Sequence, residues 1–338
     1  MIAVSVLLPC YNAVDTLEEA LDSLAAQTHP DFEIVVVDDG STDGSAGILA
    51  ERAAGDGRIR VIRQTHAGIV SALKTGLGEC RGALVARMDA DDRCVPDRLA
   101  KQAAFLDAHP EVAVAGCLVA LFPPETVREG FEIYIDWLNG LVTHAEIVRE
   151  IFVESPLPHP SVMFRKKAVL AAGGYQDRGW AEDYDLWLRM ALAGSRFGKV
   201  PEILVEWREH AGRLTRTDGR YSLENFLRAK AHYLALGPLR DCDAVVIWGA
   251  GMMGRRLSKH LVRGGAPVSA FVDIDPKKIG RTRRGKPVIA PEALPAELAA
   301  HRNPVVLAAV GARGARELIR GRLEGFGLEE GTDWLAVA

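Results

Sequence analysis

The feature that most constrains the fold is the alternation of short apolar runs with amphipathic stretches from the start of the chain. Val4–Leu8 and Phe32–Val37 are nearly continuous apolar runs, as is typical of strands that are covered on both faces. Ile69–Leu77 and Asp97–Ala108 carry apolar residues at helical spacing. Because strands joined through helices usually run parallel, this order predicts an α/β fold with a mostly parallel sheet and flanking helices.

The regular pattern is interrupted twice. Residues 118–150 show no clear period, and we expect an irregular insertion there. A polar and then helical stretch precedes a second βαβ pattern, which begins at Ala244–Trp248. We therefore predict two α/β domains, the second of them smaller, joined by a helical linker. The predicted ranges are 1–215, 216–241 for the linker and 242–338.

The charge of the chain bears on its partners. The net charge of the 338 residues is −4, with 26 basic against 34 acidic residues in 1–240 and 15 against 11 in 241–338. Phosphate backbones are bound by clustered Lys and Arg, so the acidic first part argues against nucleic acid as the main partner. The five cysteines are scattered without a CxxC pair, which excludes a disulfide framework and indicates a reducing compartment.

The location of the protein follows from its apolar segments. The opening run MIAVSVLLPCYN has no preceding basic segment and is interpreted as a buried strand, not a signal peptide. No stretch reaches about eighteen uninterrupted apolar residues, so no transmembrane segment is expected. We expect a cytoplasmic protein. Peripheral association with the inner face of a membrane and homo-oligomer formation both stay open.

Polar residues follow three of the predicted strands, where open α/β sheets bind their ligands. Pro9–Asn12 follows the first strand, Asp38–Asp43 the second and Asp89–Asp92 the fourth. Carboxylates at two such strand ends predict a negative pocket that needs cations or hydrogen-bond donors. Asp89 and Asp91 have the spacing that places two carboxylates near one Mg²⁺ or Mn²⁺, an ion usually shared with substrate phosphates. The alternative is a loop of solvated turn-forming residues.

Four segments, in this order and spacing, carry a family resemblance. They are VSVLLPCYNAVDTLEEALDSLAAQ, IVVVDDGSTDGS, ARMDADDRCVPDRLAKQ and GGYQDRGWAEDYDLWLRMA. Together they resemble the family 2 glycosyltransferases of the GT-A fold over roughly the first 210 residues. The resemblance implies a sugar transfer, with inversion, from a UDP-linked nucleotide sugar to a hydroxyl of a glycan, lipid-linked or other acceptor. Such reactions build glycans and cell-surface polysaccharides.

The resemblance also implies which residues hold the nucleotide. Tyr11 and Asp39 match the positions that bind the base, and Pro9 shapes the turn that presents Tyr11. The alternative for Tyr11 is a half-buried packing residue. This chain departs from the family in RQTHAGIVSALKTGL, where His66 and Lys74 replace the usual Asn. We expect Lys74 to be a solvated helix residue, not a phosphate ligand.

The metal and ribose-phosphate motif of the family matches Asp89 and Asp91, with Asp91 the direct ligand of Mn²⁺ or Mg²⁺. His210, in WREH, falls where some members place a third metal ligand. The alternative for His210 is a surface histidine near a helix end.

The general base of the family matches Asp183, and Glu182 beside it is expected to contact the acceptor or the sugar. Asp183 heads a predicted helix, whose dipole favours the ionised form, so we expect it to be unprotonated at neutral pH. The alternative is an ordinary cluster of acids at a helix start. Similar family segments place His159–Ser161 near the donor sugar or the acceptor, although a turn before a buried strand would explain it equally well.

The second domain carries a weaker nucleotide-binding pattern. Gly249, Gly251 and Gly254 follow the strand Ala244–Trp248, and Asp273 follows the next strand, as in a dinucleotide-binding βαβ unit. The stretch AFVDIDPKKIGRTRRGKPVIAP resembles Rossmann-like domains attached to some sugar-modifying enzymes. An auxiliary site for an NAD-like nucleotide is one hypothesis. The other is a fold that serves contacts between domains or subunits, with glycines needed only for close packing.

Two other functions are compatible with paired carboxylates on a parallel sheet. A nucleotidyltransferase would need a glycine-rich basic loop after the first strand, which LPCYNAVDTLEE lacks. A catalytically weak sensor or scaffold is opposed by the intact set of Asp39, Asp91 and Asp183. The sugar, the base and the acceptor are not determined by these patterns.

Overall fold

The structure, a computed structural model, describes residues 2–126 and 129–338. It divides into two compact units, and the second also takes in two short segments from earlier in the chain. The first unit comprises Met1–Ile147, Pro156–Arg178 and Glu182–Thr217, and the second Val148–Ser155, Gly179–Ala181 and Asp218–Ala338. The predicted linker range, 216–241, holds a helix that is counted with the second unit. Within the described ranges, no helix is long and apolar enough to cross a membrane.

The described part of the first unit contains an eight-stranded sheet. Its strands are β1 Val4–Cys10, β2 Phe32–Asp38, β3 Ile59–Arg63, β4 Leu84–Arg87, β5 Arg93–Cys94, β6 Val112–Phe122, β7 Met163–Arg165 and β8 Arg196–Arg208. Their order across the sheet is β3-β2-β1-β4-β7-β6-β8-β5. β1, β2, β3 and β4 pair in parallel, whereas β7 runs antiparallel to both of its neighbours. The predicted α/β fold with a mostly parallel sheet is confirmed.

Several helices cover this sheet with an apolar face. In the helix that follows β1, four apolar side chains are buried while Glu18 and Glu19 lie in the first turn. The helices are α1 Leu17–Ala25, α2 Ser45–Gly55, α3 Ile69–Glu79, α4 Arg98–Ala108, α5 Glu129–Asn139, α6 His144–Glu150, α7 Lys166–Ala171, α8 Glu182–Leu192 and α9 Leu214–Thr217. β1 and β2 are buried along their whole length, so the functional groups of this region lie at the strand ends.

The prediction of an irregular insertion at 118–150 was wrong. Strand β6 continues to Phe122, and helices α5 and α6 occupy most of the rest of that range. The continuation is stabilised by β8, which pairs in parallel with β6 along its whole length, with three register shifts. Since that partner lies about eighty residues further along the chain, local periodicity did not reveal it.

The second unit contains its own parallel sheet. In chain order its elements are α10 Leu223–Leu236, β9 Ala244–Trp248, α11 Met252–Arg263, β10 Val268–Val272, β11 Thr282–Arg283, β12 Lys286–Ile289, α12 Leu294–Ala299, β13 Pro304–Ala308, α13 Ala315–Gly325 and β14 Trp334–Ala336. The strand order in the described residues is β11-β12-β10-β9-β13-β14. All neighbours are parallel except β11 and β12. The order reverses direction at β9, which is where doubly wound sheets leave a crevice.

Candidate active site

The loops after β1 and β2 hold each other in place at the carboxyl edge of the first sheet. Asn12 adopts a positive φ of 48°, a conformation that Asn tolerates better than most residues. Its side-chain oxygen accepts the Thr42 N–H at 2.9 Å, and its own N–H donates to Ser41 Oγ at 3.0 Å. This turn leaves the side chain of Tyr11 46% exposed at the edge. Pro9 lies within β1, one residue before the strand ends.

Tyr11 is stacked on His66, a residue that sequence analysis noted only as a departure from the family. Their ring centroids are 4.0 Å apart and the planes are inclined by 23°. Two exposed rings in this arrangement provide an aromatic surface that suits a planar base. Lys74, as predicted, is an exposed residue of α3.

The carboxylate of Asp39 is already surrounded by donors from its own neighbourhood. One oxygen accepts Gln64 Nε2 at 2.6 Å and the Ala67 N–H at 3.0 Å. The other accepts the Gly68 N–H at 2.8 Å and faces His66 Nδ1 at 2.9 Å. A carboxylate has about four acceptor sites, so these partners fill it. The predicted contact of Asp39 with a base therefore requires one of these partners to move.

Three aspartates follow β4 and form a compact acidic cluster. Asp89, Asp91 and Asp92 each offer a carboxylate oxygen within 4.8 Å of the others. Asp92 is 1% exposed. One of its oxygens accepts the Arg208 N–H at 2.8 Å, while its Oδ2 is buried without a hydrogen-bond partner in the described residues. The sequence predicted Asp89 and Asp91 here but not Asp92.

The electrostatics of this cluster suit a divalent cation. Burial raises the pKa of Asp92 well above its usual range, and the negative charges of Asp91 and Asp89 raise it further. Burial also raises the pKa of Asp89, against the opposing effect of Arg87. Carboxylate oxygens are the ligands that Mg²⁺ and Mn²⁺ prefer. A cation among these groups would relieve their repulsion and supply a partner for Asp92 Oδ2, so the residues fit such an ion.

The segment after β8 brings further groups to the cluster. His210 Nε2 lies 2.9 Å from Asp91 Oδ2, and Arg208 Nε donates to the Asp91 carbonyl at 2.7 Å. Burial raises the pKa of Asp91, but the hydrogen bond from His210 and the charges of His210 and Arg213 outweigh it and lower that pKa overall. The structure thus places the predicted residue His210 against Asp91. Its role as a metal ligand stays a prediction.

An open pocket of about 600 Å³ lies beside this segment. Its lining includes Phe131, Glu209 and Arg216. The Arg213 guanidinium lies 4.1 Å from the centroid of the Trp207 ring and donates to Glu209 at 2.9 Å. The volume is in the range of small-ligand sites, and the walls combine aromatic and charged groups.

Arg87 is a buried cation that sequence analysis missed. It is the last residue of β4, is 3% exposed and forms an ion pair with Asp89. A buried charge needs a partner, and a lone arginine inside an apolar strand is the signal that could have identified it. Its positive charge also lowers the pKa of Asp183, so it influences the metal motif and the predicted base together.

Glu182 and Asp183 begin helix α8, as predicted. The expectation that Asp183 is ionised at neutral pH was wrong. Burial raises its pKa to about 8, with a further contribution from the negative charge of Glu182, and these outweigh the Tyr184 N–H bond at 2.7 Å and Arg87. The helix dipole acts at the surface with modest strength, whereas burial beside a like charge opposes ionisation more strongly.

His159 lies behind these acids. Its Nε2 is 2.8 Å from the Tyr175 hydroxyl, and its Nδ1 is 3.7 Å from Glu182 Oε1. Burial, helped by the charge of Arg87, lowers the pKa of His159 to about 4, so it is neutral at pH 7. A short helical turn, His159–Ser161, holds it in front of β7.

Two of the three glycines predicted in the second unit, Gly249 and Gly254, lie where a side chain would collide with neighbouring backbone. A Cβ on Gly254 would lie 1.8 Å from the Gly249 carbonyl oxygen, and one on Gly249 would lie 2.8 Å from the Ala309 carbonyl oxygen. Gly251 has open space around it. Asp273 accepts the Ala250 N–H and Lys278 Nζ, both at 3.0 Å. The auxiliary nucleotide site at these residues stays a prediction.

Sequence comparisons identify the family. The model of "Glycosyl transferase family 2" matches residues 5–172. The chain is 35% identical over 208 residues to the amylovoran biosynthesis glycosyltransferase AmsE of Erwinia amylovora, covering 60% of this chain and 75% of that protein. It is 26% identical over 236 residues to the O-antigen biosynthesis glycosyltransferase WbnJ of Escherichia coli, covering 67% of this chain and 90% of that protein.

Solved structures agree on the fold. S. aureus TarS 1–349 in complex with UDP-GlcNAc matches with a TM-score of 0.57 at 20% identity, covering 78% of this chain and 72% of that chain. The mannosyltransferase PcManGT from Pyrobaculum calidifontis, in complex with GDP-Man and Mn²⁺, matches with a TM-score of 0.50 at 20% identity, covering 96% and 80%. The fold is therefore the GT-A type, and the chain belongs to glycosyl transferase family 2 and is a glycosyltransferase.

Proposed function

We propose that this glycosyltransferase moves a sugar from a UDP-linked donor to a hydroxyl acceptor, with inversion, in glycan or cell-surface polysaccharide biosynthesis. The observation that carries the proposal is the acidic cluster after β4. Asp89, Asp91 and Asp92 lie together at the edge of the sheet where ligands of parallel sheets bind. Asp92 Oδ2 is buried without a hydrogen-bond partner among the described residues, and such an acidic cluster suits a cation that is shared with a diphosphate.

The donor assignment is supported by the aromatic surface and by a structural relative. Tyr11 and His66 stack at the end of β1, beside Asp39. TarS, which has the same fold, is described in complex with UDP-GlcNAc. PcManGT instead holds GDP-Man, so the base is the part of the donor that most needs a direct test.

The metal assignment places Mn²⁺ or Mg²⁺ at Asp91 and Asp89, with His210 as a third ligand. PcManGT is described with Mn²⁺. Such an ion stabilises the negative charge that develops on the leaving diphosphate. His210 is within 2.9 Å of Asp91 and would have to exchange that contact for the ion.

The remaining chemistry belongs to the residues of α8. We assign Asp183 as the general base that accepts the proton of the attacking hydroxyl. Its raised pKa makes it a stronger base than an ordinary carboxylate once it is ionised. One base and one displacement give inversion at the anomeric carbon. Glu182, next to it, contacts the sugar or the acceptor.

The acceptor class is supported by the relatives and by the open pocket. AmsE and WbnJ are named for amylovoran and O-antigen biosynthesis. The pocket beside Phe131 and Arg216 provides aromatic and cationic groups for a glycan or lipid-linked acceptor.

A thermal-shift screen tests this function. UDP-glucose, UDP-galactose, UDP-GlcNAc and GDP-mannose are each added with and without Mn²⁺. A ligand at about 100 times its dissociation constant adds about 2.7 kcal/mol of stability, which gives a clear rise in Tm. We expect at least one UDP-sugar to raise Tm only when Mn²⁺ is present, and Asp91→Asn to remove the rise. If no nucleotide sugar raises Tm, or if GDP-mannose alone does, the proposed donor is wrong.

A further inference from the structure

Among the residues that the structure describes, His159 carries a buried polar atom that has no hydrogen-bond partner. The side chain is about 6% exposed, and in the described residues Nδ1 makes no hydrogen bond. Leaving such a group unpaired is energetically costly, so an unpaired atom next to a predicted active site points to a group that arrives with the ligand.

The surroundings fix which nitrogen carries the hydrogen. Burial raises the pKa of Tyr175 above its usual range, so its hydroxyl keeps its proton and can donate to Nε2 across 2.8 Å. The hydrogen of the neutral ring then lies on Nδ1, which faces the carboxylate of Glu182. The opposite tautomer would aim a lone pair at that carboxylate, which is electrostatically unfavourable.

The distance between His159 Nδ1 and the Glu182 carboxylate limits the size of a group that could bridge them. Nδ1 and Glu182 Oε1 are 3.7 Å apart, which is too long for a direct hydrogen bond. One oxygen atom at about 2.8 Å from each would complete a triangle with both. That atom has to accept one hydrogen bond from Nδ1–H and donate another to the carboxylate. A hydroxyl group does both, whereas a carbonyl or a phosphate oxygen cannot donate.

We propose that His159 and Glu182 together bind a single hydroxyl group of the sugar substrates, with Tyr175 holding the histidine ring in the required tautomer. The inference rests on the proposed function and deepens it, because it assigns a hydroxyl-recognition subsite beside the predicted base. The hydroxyl belongs either to the donor sugar or to the acceptor. Glu182 and Asp183 are adjacent at the start of α8, so a hydroxyl held here fixes its sugar close to the base.

Two substitutions of similar size separate recognition from packing. In His159→Asn, the amide nitrogen can take the place of Nδ1 and keep the donor to the hydroxyl, although the contact with Tyr175 is lost. In His159→Gln, the amide reaches the position of Nε2 and keeps Tyr175, but the donor facing Glu182 is lost. Tyr175→Phe removes the partner that fixes the tautomer and keeps the ring.

Calorimetry with UDP and with the UDP-sugars of the screen, in Mn²⁺, measures the donor side, and steady-state kinetics measure the acceptor side. We expect His159→Gln to leave UDP affinity unchanged. It should lower either UDP-sugar affinity or kcat/KM for the acceptor about tenfold, the worth of one hydrogen bond of about 1.4 kcal/mol. His159→Asn should keep most of that affinity, and Tyr175→Phe should fall between the two. Loss on the UDP-sugar side assigns the hydroxyl to the donor, and loss on the acceptor side alone assigns it to the acceptor.

Several outcomes would overturn the proposal. One such outcome is that His159→Asn and His159→Gln lower UDP-sugar affinity or acceptor kcat/KM equally. Another is that neither variant changes either of these quantities. Both results would mean that the space between His159 Nδ1 and Glu182 Oε1 holds only a structural water. A matching loss of UDP affinity in His159→Gln would indicate a packing defect, which its melting temperature would also show. If the wild type binds UDP but no UDP-sugar, the proposed function fails, and this inference fails with it.

Discussion

Both units place acidic residues after parallel strands, yet the two sites are built differently. In the first unit, Asp89, Asp91 and Asp92 lie together, and burial and mutual repulsion raise the pKa of Asp92. Within the described part of the chain, Asp92 Oδ2 has no hydrogen-bond partner. In the second unit, Asp273 is served by the Ala250 N–H, the Asp275 N–H and Lys278. Burial alone would raise the pKa of Asp273, but these donors outweigh it and lower that pKa.

The two sites differ in how completely the protein itself satisfies their carboxylates. Asp273 has the position that a ribose-binding acid would need, but its oxygens already accept hydrogen bonds from the protein. In the cluster after β4, Asp89 pairs with Arg87 and Asp91 with His210, but Asp92 Oδ2 has no hydrogen-bond partner in the described residues. The predictions below test this contrast.

The largest effect is expected from the metal motif. Asp91→Ala removes the proposed direct ligand, and transfer should fall by about 10³-fold or more, because the ion supplies several kcal/mol of charge stabilisation. Radiolabelled sugar transfer with and without EDTA measures this, and the wild type in EDTA should resemble the variant. Full wild-type turnover in excess EDTA would contradict the metal site.

A slightly smaller effect is expected at the base. Asp183→Asn keeps the shape of the side chain but cannot accept a proton, so turnover should fall about 10²–10⁴-fold. Donor binding, measured by calorimetry with Mn²⁺, should be unchanged, which distinguishes this variant from Asp91→Ala. Near-normal turnover would move the base to another residue, with Glu182 the first candidate.

The raised pKa of Asp183 gives a pH dependence with a definite sign. The folded value is about 8, against an ordinary value of 3.8, so between these limits the folded state holds more protons than the unfolded chain. The contribution of this group to stability therefore falls as pH rises from about 4 to 8. Over the same range kcat/KM should rise as the base ionises. Asp183→Asn should remove the contribution of Asp183 to the pH dependence of stability and of kcat/KM. If the kcat/KM of the wild type is constant from pH 5 to 9, the ionisation of Asp183 does not control the reaction.

A moderate effect is expected at the aromatic surface. His66→Ala removes the ring that stacks on Tyr11, and a stacked pair contributes about 0.5–1.5 kcal/mol. UDP affinity should fall about two- to tenfold by calorimetry. Lys74→Ala is the control, because that exposed residue of α3 is predicted to make no phosphate contact. An equal loss of UDP affinity in His66→Ala and Lys74→Ala would indicate a general charge effect and not a loss of stacking.

The smallest effect on transfer is expected in the second unit. Asp273→Ala leaves the Ala250 N–H without its acceptor and removes the ion pair with Lys278, so Tm should fall by about 2–4 °C for each kcal/mol lost. The rate of sugar transfer at 25 °C should stay within about twofold. A large loss of activity at unchanged Tm would show that the second unit shares in the reaction.

Structural features that depend on the local sequence pattern were predicted correctly. Strands β1, β2 and β4 are mostly apolar runs, and the acids that follow β2 and β4 lie at the edge where the parallel order requires them. The position of Asp183 at a helix start was also predictable.

Features that depend on distant partners were not predictable. The extension of β6 to Phe122 depends on pairing with β8. The pKa of Asp183 is set by burial and by Glu182, which a helix-start pattern does not report. Arg87 influences Glu182 and Asp183 only because the fold brings these residues, about ninety-five positions away, close to it. His66 is placed against Tyr11 by a contact across 55 positions of the chain.

The close approach of Gly254 to the Gly249 carbonyl has an evolutionary consequence. Any side chain at position 254 would collide with the backbone, whether or not a nucleotide is ever bound. Purifying selection on folding alone would therefore preserve this glycine in descendants that had lost a ligand. Gly251, which has open space around it, is free of that constraint. Among homologues of the second unit, a lineage can keep glycine at position 254 while the residue at position 251 varies. That pattern would identify lineages that retain the fold but have lost nucleotide binding.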